Sequence, residues 1–211
     1  MARVTKILGL VALAVALSAV PAKAAFIDFL NSYWNPGSTT ETSITRYVSS
    51  LDADLTITAS GGANTLYWDN TDGFGVRGNE EDEVDKLEKL TLSFDKPVYL
   101  SSFNLTDLFY EGSRQYQEEG YYSLDGGAAV KFLADLSQVS GSTNGVKLIS
   151  LNSGPVTTIE FYALNPVPEG QHHDFSVAGI NASATPEPAS LILVGSALGL
   201  GLWRRRRKFF N

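Results

Sequence analysis

Apolar and polar residues alternate with a period of two in several runs of the central sequence, which restricts the chain to a β fold. The runs 54–59 and 89–94 show the pattern most clearly. Because successive side chains of a strand point to opposite faces of its sheet, each run predicts a strand with one buried face. The other strand candidates are 44–48, 121–124, 128–133, 146–151, 158–161 and 175–181.

Turn-forming residues separate these runs and predict how the strands are arranged. Asp125-Gly126-Gly127 predicts a hairpin between the candidates 121–124 and 128–133. About nine short strands with such turns are typical of an antiparallel β-sandwich. We therefore predict an all-β domain of the jelly-roll type, with 81–88 as its helical candidate.

The apolar face changes parity within the longest run. Val98 and Leu100 lie on one parity, whereas Phe103 and Leu105 lie on the other. A shift of one residue exchanges the two faces of a strand, so an extra residue has to be accommodated between these pairs. The sequence predicts a β-bulge at Ser101-Ser102, or a strand that bends there from one sheet into another.

The first 24 residues have the three parts of a secretory signal peptide. Arg3 and Lys6 supply the positive start, and 7–20 is apolar or small throughout. Ala22 and Ala24 then supply the small residues that signal peptidase recognises. As a permanent anchor, the 14 residues of 7–20 would span only ~21 Å of a hydrocarbon core ~30 Å thick. We predict export, with cleavage after Ala24.

The C-terminal segment 184–211 combines a short motif, an apolar stretch and a basic cluster. The stretch 189–203 spans ~22 Å as a helix, which suits a short or temporary transmembrane segment. Basic residues beside a span stay in the cytoplasm, so the segment before it lies outside, in agreement with the signal peptide. The motif is Pro186, Glu187 and Pro188, and the basic cluster is Arg204, Arg205, Arg206, Arg207 and Lys208.

This order of Pro-Glu-Pro, short helix and terminal arginines resembles the PEP-CTERM sorting signal of exported Gram-negative proteins. The resemblance implies recognition by exosortase, a membrane transpeptidase, in bacteria that make exopolysaccharide or biofilm. It implies a transient stage in the inner membrane, followed by the cell surface or extracellular matrix. The tail is also named after an ice-binding protein that carries it, but a sorting signal gives no evidence of ice binding.

The central domain, 25–183, is similar to one that recurs in exported PEP-CTERM proteins. The similarity lies in 73–76, 80–85, 88–94 and 174–180. It supports the predicted fold and implies no particular activity.

Charge is distributed unevenly and excludes one class of partner. The two ends hold 8 of the 16 basic residues but only 1 of the 23 acidic ones, which leaves the central domain at about −14. A domain this acidic repels nucleic acid and is compatible with cation binding. The chain has no Cys, which excludes thiol chemistry and a lipoprotein anchor.

Carboxylates crowd the segment from Asp69 to Asp85 and indicate a candidate calcium site. An EF-hand is excluded, because Trp68 and Asn79 occupy its first and twelfth loop positions, where carboxylates are needed. A structural Ca²⁺ of the kind bound by carbohydrate-binding jelly rolls is one interpretation, and a solvated acidic loop is the other. The candidate ligands are Asp69, Asp72, Glu80, Glu81, Asp82, Glu83 and Asp85.

Aromatic residues are plentiful and raise the possibility of a sugar-binding surface. Trp34 and Trp68 are large and lie near turn signals, which makes them candidates for stacking on sugar rings. Ordinary core packing is the alternative, since aromatic residues are common in strands.

The sequence shows no catalytic motif. His172 and His173 lie in a segment that we interpret as solvated surface, without the further ligands that a metal site needs. We therefore predict a non-enzymatic binding or structural module that contacts exopolysaccharide. An enzyme that acts on polysaccharide with paired carboxylates is the alternative, because such pairs carry no local motif.

Overall fold

Antiparallel strands make up nearly all the regular structure in this computed structural model, which describes residues 24–78, 83–163, 169 and 171–185. One turn of 3-10 helix, Ser32–Trp34, is the helical element within those ranges. The strands are β1 (Ala25–Asp28), β2 (Ser43–Val48), β3 (Ala53–Ser60), β4 (Thr65–Asp69), β5 (Gly73–Arg77), β6 (Lys89–Thr106), β7 (Tyr110–Glu111), β8 (Tyr116–Gln117), β9 (Glu119–Leu124), β10 (Val130–Leu133), β11 (Lys147–Ser150), β12 (Pro155–Ala163) and β13 (Ser176–Ala184).

These strands lie within one compact unit, Ala24–Ala184. Eleven strands share one hydrogen-bonded network, whose main path runs β10-β9-β12-β6-β13-β5-β4. Strands β2 and β3 join it through β6, β11 joins it through β6, and β1 joins it through β13. The prediction of an all-β antiparallel fold is confirmed, whereas the jelly-roll connectivity stays a prediction.

Strand β6 is 18 residues long and connects two groups of strands. Its first part, 89–94, pairs with β3 on one side and with β12 on the other, and β12 also pairs with Val98 and Tyr99. Its last part, 98–106, pairs with β13, and β11 pairs with 102–105. The exposed residues 95–97 separate the two parts, and here the register against β12 also shifts.

The predicted bulge is present in β6. Asn181 of β13 pairs with Ser102, but the next residue, Ala182, pairs with Leu100, so Ser101 has no partner position on β13. Ser102 and Phe103 are consequently both buried although they are neighbours. The extra residue moves the apolar face from even to odd positions, which confirms the prediction from parity.

Most of the predicted strands are confirmed within a residue or two. The predicted hairpin is confirmed too, because β9 and β10 pair antiparallel around Asp125-Gly126. Sequence reasoning missed the short strands β1, β4, β5, β7 and β8. The helix predicted at 81–88 is wrong over its described part, 83–88, which contains a turn and no helix.

Aromatic rings from four strands meet in the core. The Phe103 ring centroid lies 5.1 Å from Tyr122, 6.3 Å from Phe132 and 4.9 Å from Phe161, each in an edge-to-face arrangement. Phe132 in turn packs on Phe175 with centroids 5.0 Å apart. Edge-to-face pairs of rings stabilise a protein slightly more than the burial of their apolar surface alone. This cluster therefore joins β6 to β9, β10 and β12.

We expect Phe103→Ala to destabilise the protein by roughly 3–5 kcal/mol, because it removes a fully buried ring and leaves a cavity. The measurement is the urea midpoint of unfolding, followed by circular dichroism. Leu148→Ala on β11 is the control, since that side chain is 59% exposed and should change the midpoint little. Equal effects of the two substitutions would contradict the role of this ring.

Candidate functional site

A cleft of about 560 Å³ lies where β1, the Ser32–Trp34 turn and the end of β2 meet. Its lining comes from 26–28, Asn31, 33–34 and 47–50. We call this surface the tyrosine cleft, because the exposed residues Tyr33 and Tyr47 are part of its lining.

Local hydrogen bonds shape the turn that carries Tyr33. The Asn31 Oδ1 accepts a hydrogen bond from Tyr33 N at 2.9 Å and caps the short helix. Beyond the turn, Asn35 Oδ1 accepts from Gly37 N at 2.8 Å, and Gly37 has a positive φ of 80° that favours glycine. These short-range bonds explain why a segment without a strand pattern has a defined path.

Three aromatic rings of the cleft are half-exposed: Phe26 at 50%, Tyr33 at 51% and Tyr47 at 52%. The Tyr33 hydroxyl donates to Tyr47 O at 3.0 Å, and the Tyr47 hydroxyl donates to Asp52 Oδ1 at 2.7 Å. Both hydroxyls are therefore engaged within the protein. The tyrosines expose ring surface to the solvent, while their hydroxyl groups donate hydrogen bonds within the protein.

Charged groups beside the cleft hold these rings. The Arg46 guanidinium lies 5.9 Å from the centroid of the Tyr33 ring, where a cation is attracted to the π face. Lys96 pairs with Asp52 at 2.7 Å, and Asp52 accepts the bond from Tyr47. The hydrogen bond to Asp52 raises the pKa of Tyr47, while Lys96 and then Tyr47 lower the pKa of Asp52. The phenol of Tyr47 thus stays a proton donor to a charged carboxylate.

Trp34, the sequence-based stacking candidate, borders the cleft but exposes little of its surface there, and its stacking role stays a prediction. Trp34 is 3% exposed and packs edge-to-face on Phe29 and Phe74, so its ring faces the core. Trp68 is half-buried against the same core, and its indole Nε1 donates to Phe29 O at 2.6 Å. The signal for Tyr47 was present in the sequence, because Ile44 and Val48 of β2 are buried and Tyr47 has the opposite parity to both.

The calcium candidates are only partly within the described residues. Glu80 and Asp82 lie outside them, as does Glu81. Asp69 ends β4, and its Oδ1 accepts from Thr71 N and Asp72 N, both at 2.8 Å. The buried Asp85 accepts from the backbone of Lys86. Among the described residues, no group of three His, Asp or Glu side chains has the geometry of a metal site.

His173 is buried, which corrects its interpretation as solvated surface. It is 3% exposed, whereas His172 is exposed. Its Nδ1 accepts from Glu119 N at 3.0 Å, and its Nε2 lies 2.9 Å from Gln171 Oε1. Since the Gln171 oxygen is an acceptor, Nε2 carries the proton of a neutral ring. Burial lowers the pKa of His173 and favours that neutral form.

A buried carboxyl pair lies beside this histidine. Glu118 is 3% exposed and Asp174 is 8% exposed. Burial, and then the nearby Asp174, raises the pKa of Glu118 to about 9, although the bond from Phe109 N opposes the shift. Glu118 is therefore protonated at neutral pH. Neither residue lines the tyrosine cleft.

A second groove, of about 450 Å³, lies between the edge strands β10 and β11. Lys131 and Lys147 line it and are paired with Glu119 and Asp135. Two leucines that neighbour its lining residues in sequence are exposed, Leu136 at 64% and Leu148 at 59%.

The predicted sorting residues lie outside the described residues, with the exception of Ala24 and the segment 184–185. Those outside are Ala22, Pro186, Glu187, Pro188, Arg204, Arg205, Arg206, Arg207 and Lys208. Within the described ranges, helices with the length and hydrophobicity of a membrane span are absent.

Comparisons with known proteins leave the family open. No family model and no curated protein matches the chain. Among solved structures, it is similar to an exo-β-1,3-galactanase from Phanerochaete chrysosporium, crystallised with galactose, at 11% identity and a TM-score of 0.33. The match covers 76% of this chain and 29% of the galactanase, so this chain spans less than a third of that protein's length. A similarity of this strength carries no argument about function.

The buried carboxyl of Glu118 predicts a pH dependence of stability. An unfolded Glu ionises above about 4.5, whereas the native Glu118 keeps its proton to about 9, so stability falls as the pH rises between these values. We expect Glu118→Gln to raise the melting temperature at pH 8 by ~2–4 °C for each kcal/mol gained in the free energy of unfolding. At pH 4 it should change the melting temperature little, because the carboxyl is protonated in the native state there too. Calorimetry at the two pH values measures this.

The exposed carboxyl of Glu41 supplies the control, since Glu41→Gln should leave both melting temperatures unchanged. An equal shift at pH 4 and pH 8 in the Glu118 variant would contradict a proton held by Glu118.

Proposed function

We propose that this chain is an exported surface or matrix protein whose β domain is a non-enzymatic module that contacts exopolysaccharide at the tyrosine cleft. The observation that carries the proposal is the pair of half-exposed rings, Tyr33 and Tyr47, whose hydroxyls are both bonded within the protein. Such rings offer apolar faces to a ligand.

The faces suit the apolar side of a sugar ring. A pyranose carries C–H groups on its faces and hydroxyls around its rim, so it can pack on an aromatic face and hydrogen-bond at its edge. The bonds of Tyr33 to the backbone of Tyr47, and of Tyr47 to Asp52, hold the two rings before a ligand arrives. Pre-ordered side chains lose less conformational entropy on binding, which favours affinity.

Polar groups at the cleft would meet the sugar rim. The Asp28 carboxylate and the hydroxyls of Ser49 and Ser50 line it beside the rings. An open cleft lined by a few polar groups and several rings suits one or two residues of a longer chain. It is therefore compatible with binding along a polysaccharide.

Export and sorting are the second part of the proposal. The signal peptide at 1–24 and the tail at 184–211 support release from the inner membrane by exosortase to the cell surface. Structural calcium bound by the acidic segment that includes Asp69, Asp72 and Asp85 remains part of the proposal as an optional cofactor.

The alternative is an enzyme with paired carboxylates. Glu118 and Asp174 form a buried pair of which one is protonated, but hydrolysis needs both groups at a substrate-accessible surface. Their low exposure supports a structural role for this pair and favours the non-enzymatic proposal. Release of reducing sugar from the polysaccharide by the purified chain would favour the alternative.

We expect Tyr33→Ala combined with Tyr47→Ala to weaken binding to the producing organism's exopolysaccharide by about tenfold or more, because two stacking faces are lost. The measurement is retention of the full chain, in mild detergent, on immobilised polysaccharide with and without a calcium chelator. Tyr33→Phe with Tyr47→Phe keeps both rings but removes the two bonds that hold them, so it should weaken binding less than the double Ala variant. Tyr99→Ala, a substitution of an exposed ring on β6, is the matched control.

Thermal melting of each variant separates loss of binding from loss of folding. Unchanged retention by a folded double Ala variant would refute the tyrosine cleft as the binding surface. Loss of wild-type retention on chelation would support the calcium part of the proposal.

We expect replacement of Pro186-Glu187-Pro188 by three alanines to hold the protein in the inner membrane with its tail uncleaved. The reason is that the sorting enzyme would lose its recognition motif, while the apolar stretch 189–203 and the basic cluster remain. Fractionation and immunoblotting of the producing cells measure location and size. Ser190→Ala is the control, and normal surface display of the alanine variant would refute the sorting role.

A further inference from the structure

The charge in the lining of the tyrosine cleft is negative. Asp28 is the charged side chain among the described residues that line it, and no Lys or Arg lines it. Among the described residues, the cations Arg46 and Lys96 lie near the two tyrosine rings and are bonded within the protein. Arg46 donates to three main-chain oxygens, those of Tyr33 at 3.0 Å, Thr45 at 3.1 Å and Asn35 at 3.2 Å.

Lys96, the other cation near these rings, is also committed. It pairs with the Asp52 carboxylate at 2.7 Å and also donates to the main-chain oxygen of Asp52. The bond from Tyr47 to the same carboxylate makes this pair part of the support of the ring. Three of the five N–H groups of Arg46 and two of the three of Lys96 are thus engaged within the protein, so neither cation is fully available to a carboxylate, sulfate or phosphate group in the cleft.

The net negative charge of the whole domain also disfavours the binding of anions. The central domain carries 8 basic and 22 acidic residues, and its negative potential disfavours the approach of an anionic chain. A polyanion would in addition place its charges beside Asp28. Like charges in a partly desolvated cleft repel more strongly than in free water, whereas an uncharged chain carries no such cost.

We infer that the tyrosine cleft binds uncharged polysaccharide and discriminates against chains that bear carboxylate, sulfate or phosphate. This rests on the proposed function, since it names the class of sugar that the same cleft takes. Tyr33 and Tyr47 supply the stacking faces, and Asp28 sets the selectivity. Asp28 accepts hydroxyl donors of a neutral sugar and repels an acidic one.

Asp28 is positioned for this role by its own loop. Its Oδ1 accepts from Leu30 N at 3.0 Å, which directs the carboxylate along the start of the turn that carries Tyr33. A carboxylate has two oxygens and about four acceptor sites, so one bond to the backbone leaves capacity for sugar hydroxyls. Asparagine keeps an oxygen for Leu30 N and removes the charge, so Asp28→Asn isolates the electrostatic part.

The test is affinity electrophoresis of the full chain in mild detergent through gels that contain matched polysaccharides. Cellulose as its hydroxyethyl ether, dextran and galactomannan supply neutral chains, and the carboxymethyl derivative of each supplies the same backbone with negative charge. We expect retardation by at least one neutral chain, and at least tenfold weaker binding of its carboxymethyl partner. In Asp28→Asn this ratio should fall severalfold, whereas Glu41→Gln, which removes one exposed charge elsewhere, should leave it unchanged.

The outcomes separate this inference from the proposed function. Equal or tighter binding of the carboxymethyl chains would overturn the inference and leave polysaccharide binding in place. An unchanged ratio in a folded Asp28→Asn variant would overturn the role of Asp28. Absence of retardation by every chain, neutral or charged, would count against both the inference and the proposed function.

Discussion

The pairing of strand β6 with four other strands is the constraint on which the rest of the fold depends. This strand pairs with β3 and β12 through its first part and with β13 and β11 through its last part, so it belongs to both groups of strands. The bulge that leaves Ser101 without a partner position turns Phe103 towards the aromatic core. Without that extra residue, alternation would direct Phe103 away from Phe161 and expose it.

The tyrosine cleft depends on this framework indirectly. Strand β13 pairs with β6 on one side and with β1 on the other, and β1 leads into the turn that carries Tyr33. Strand β2 reaches β6 through β3 and brings Tyr47 to the same place. The hydrogen bond from the Tyr33 hydroxyl to the backbone of Tyr47 then joins the two sides of the cleft. Strand β6 thus positions Tyr33 through β13 and β1, and it positions Tyr47 through β3 and β2.

Three buried ionisable groups, Glu118, His173 and Asp174, lie in the interior of the domain. Glu118 and Asp174 occupy the interior near the neutral His173, and each costs free energy to desolvate in its charged form. The fold resolves this by holding a proton on Glu118 and by giving the His173 ring an acceptor and a donor role. Glu118 accepts from Phe109 N, and His173 is bonded to Glu119 N and Gln171, so both groups have partners within the protein.

Alternation in the sequence by itself determined the all-β fold, most strands and the bulge near Ser101, because each follows from the period of two of a single strand. The sequence could not show that Trp34 is buried while Tyr33 beside it is half-exposed, since both lie in a turn without periodicity. It also missed the burial of His173, whose partners lie on β9 and in the preceding loop. Only the tertiary structure decided which aromatic rings share a surface, because β1 and β2 are brought together through long-range pairing with β13, β3 and β6 rather than by local preference.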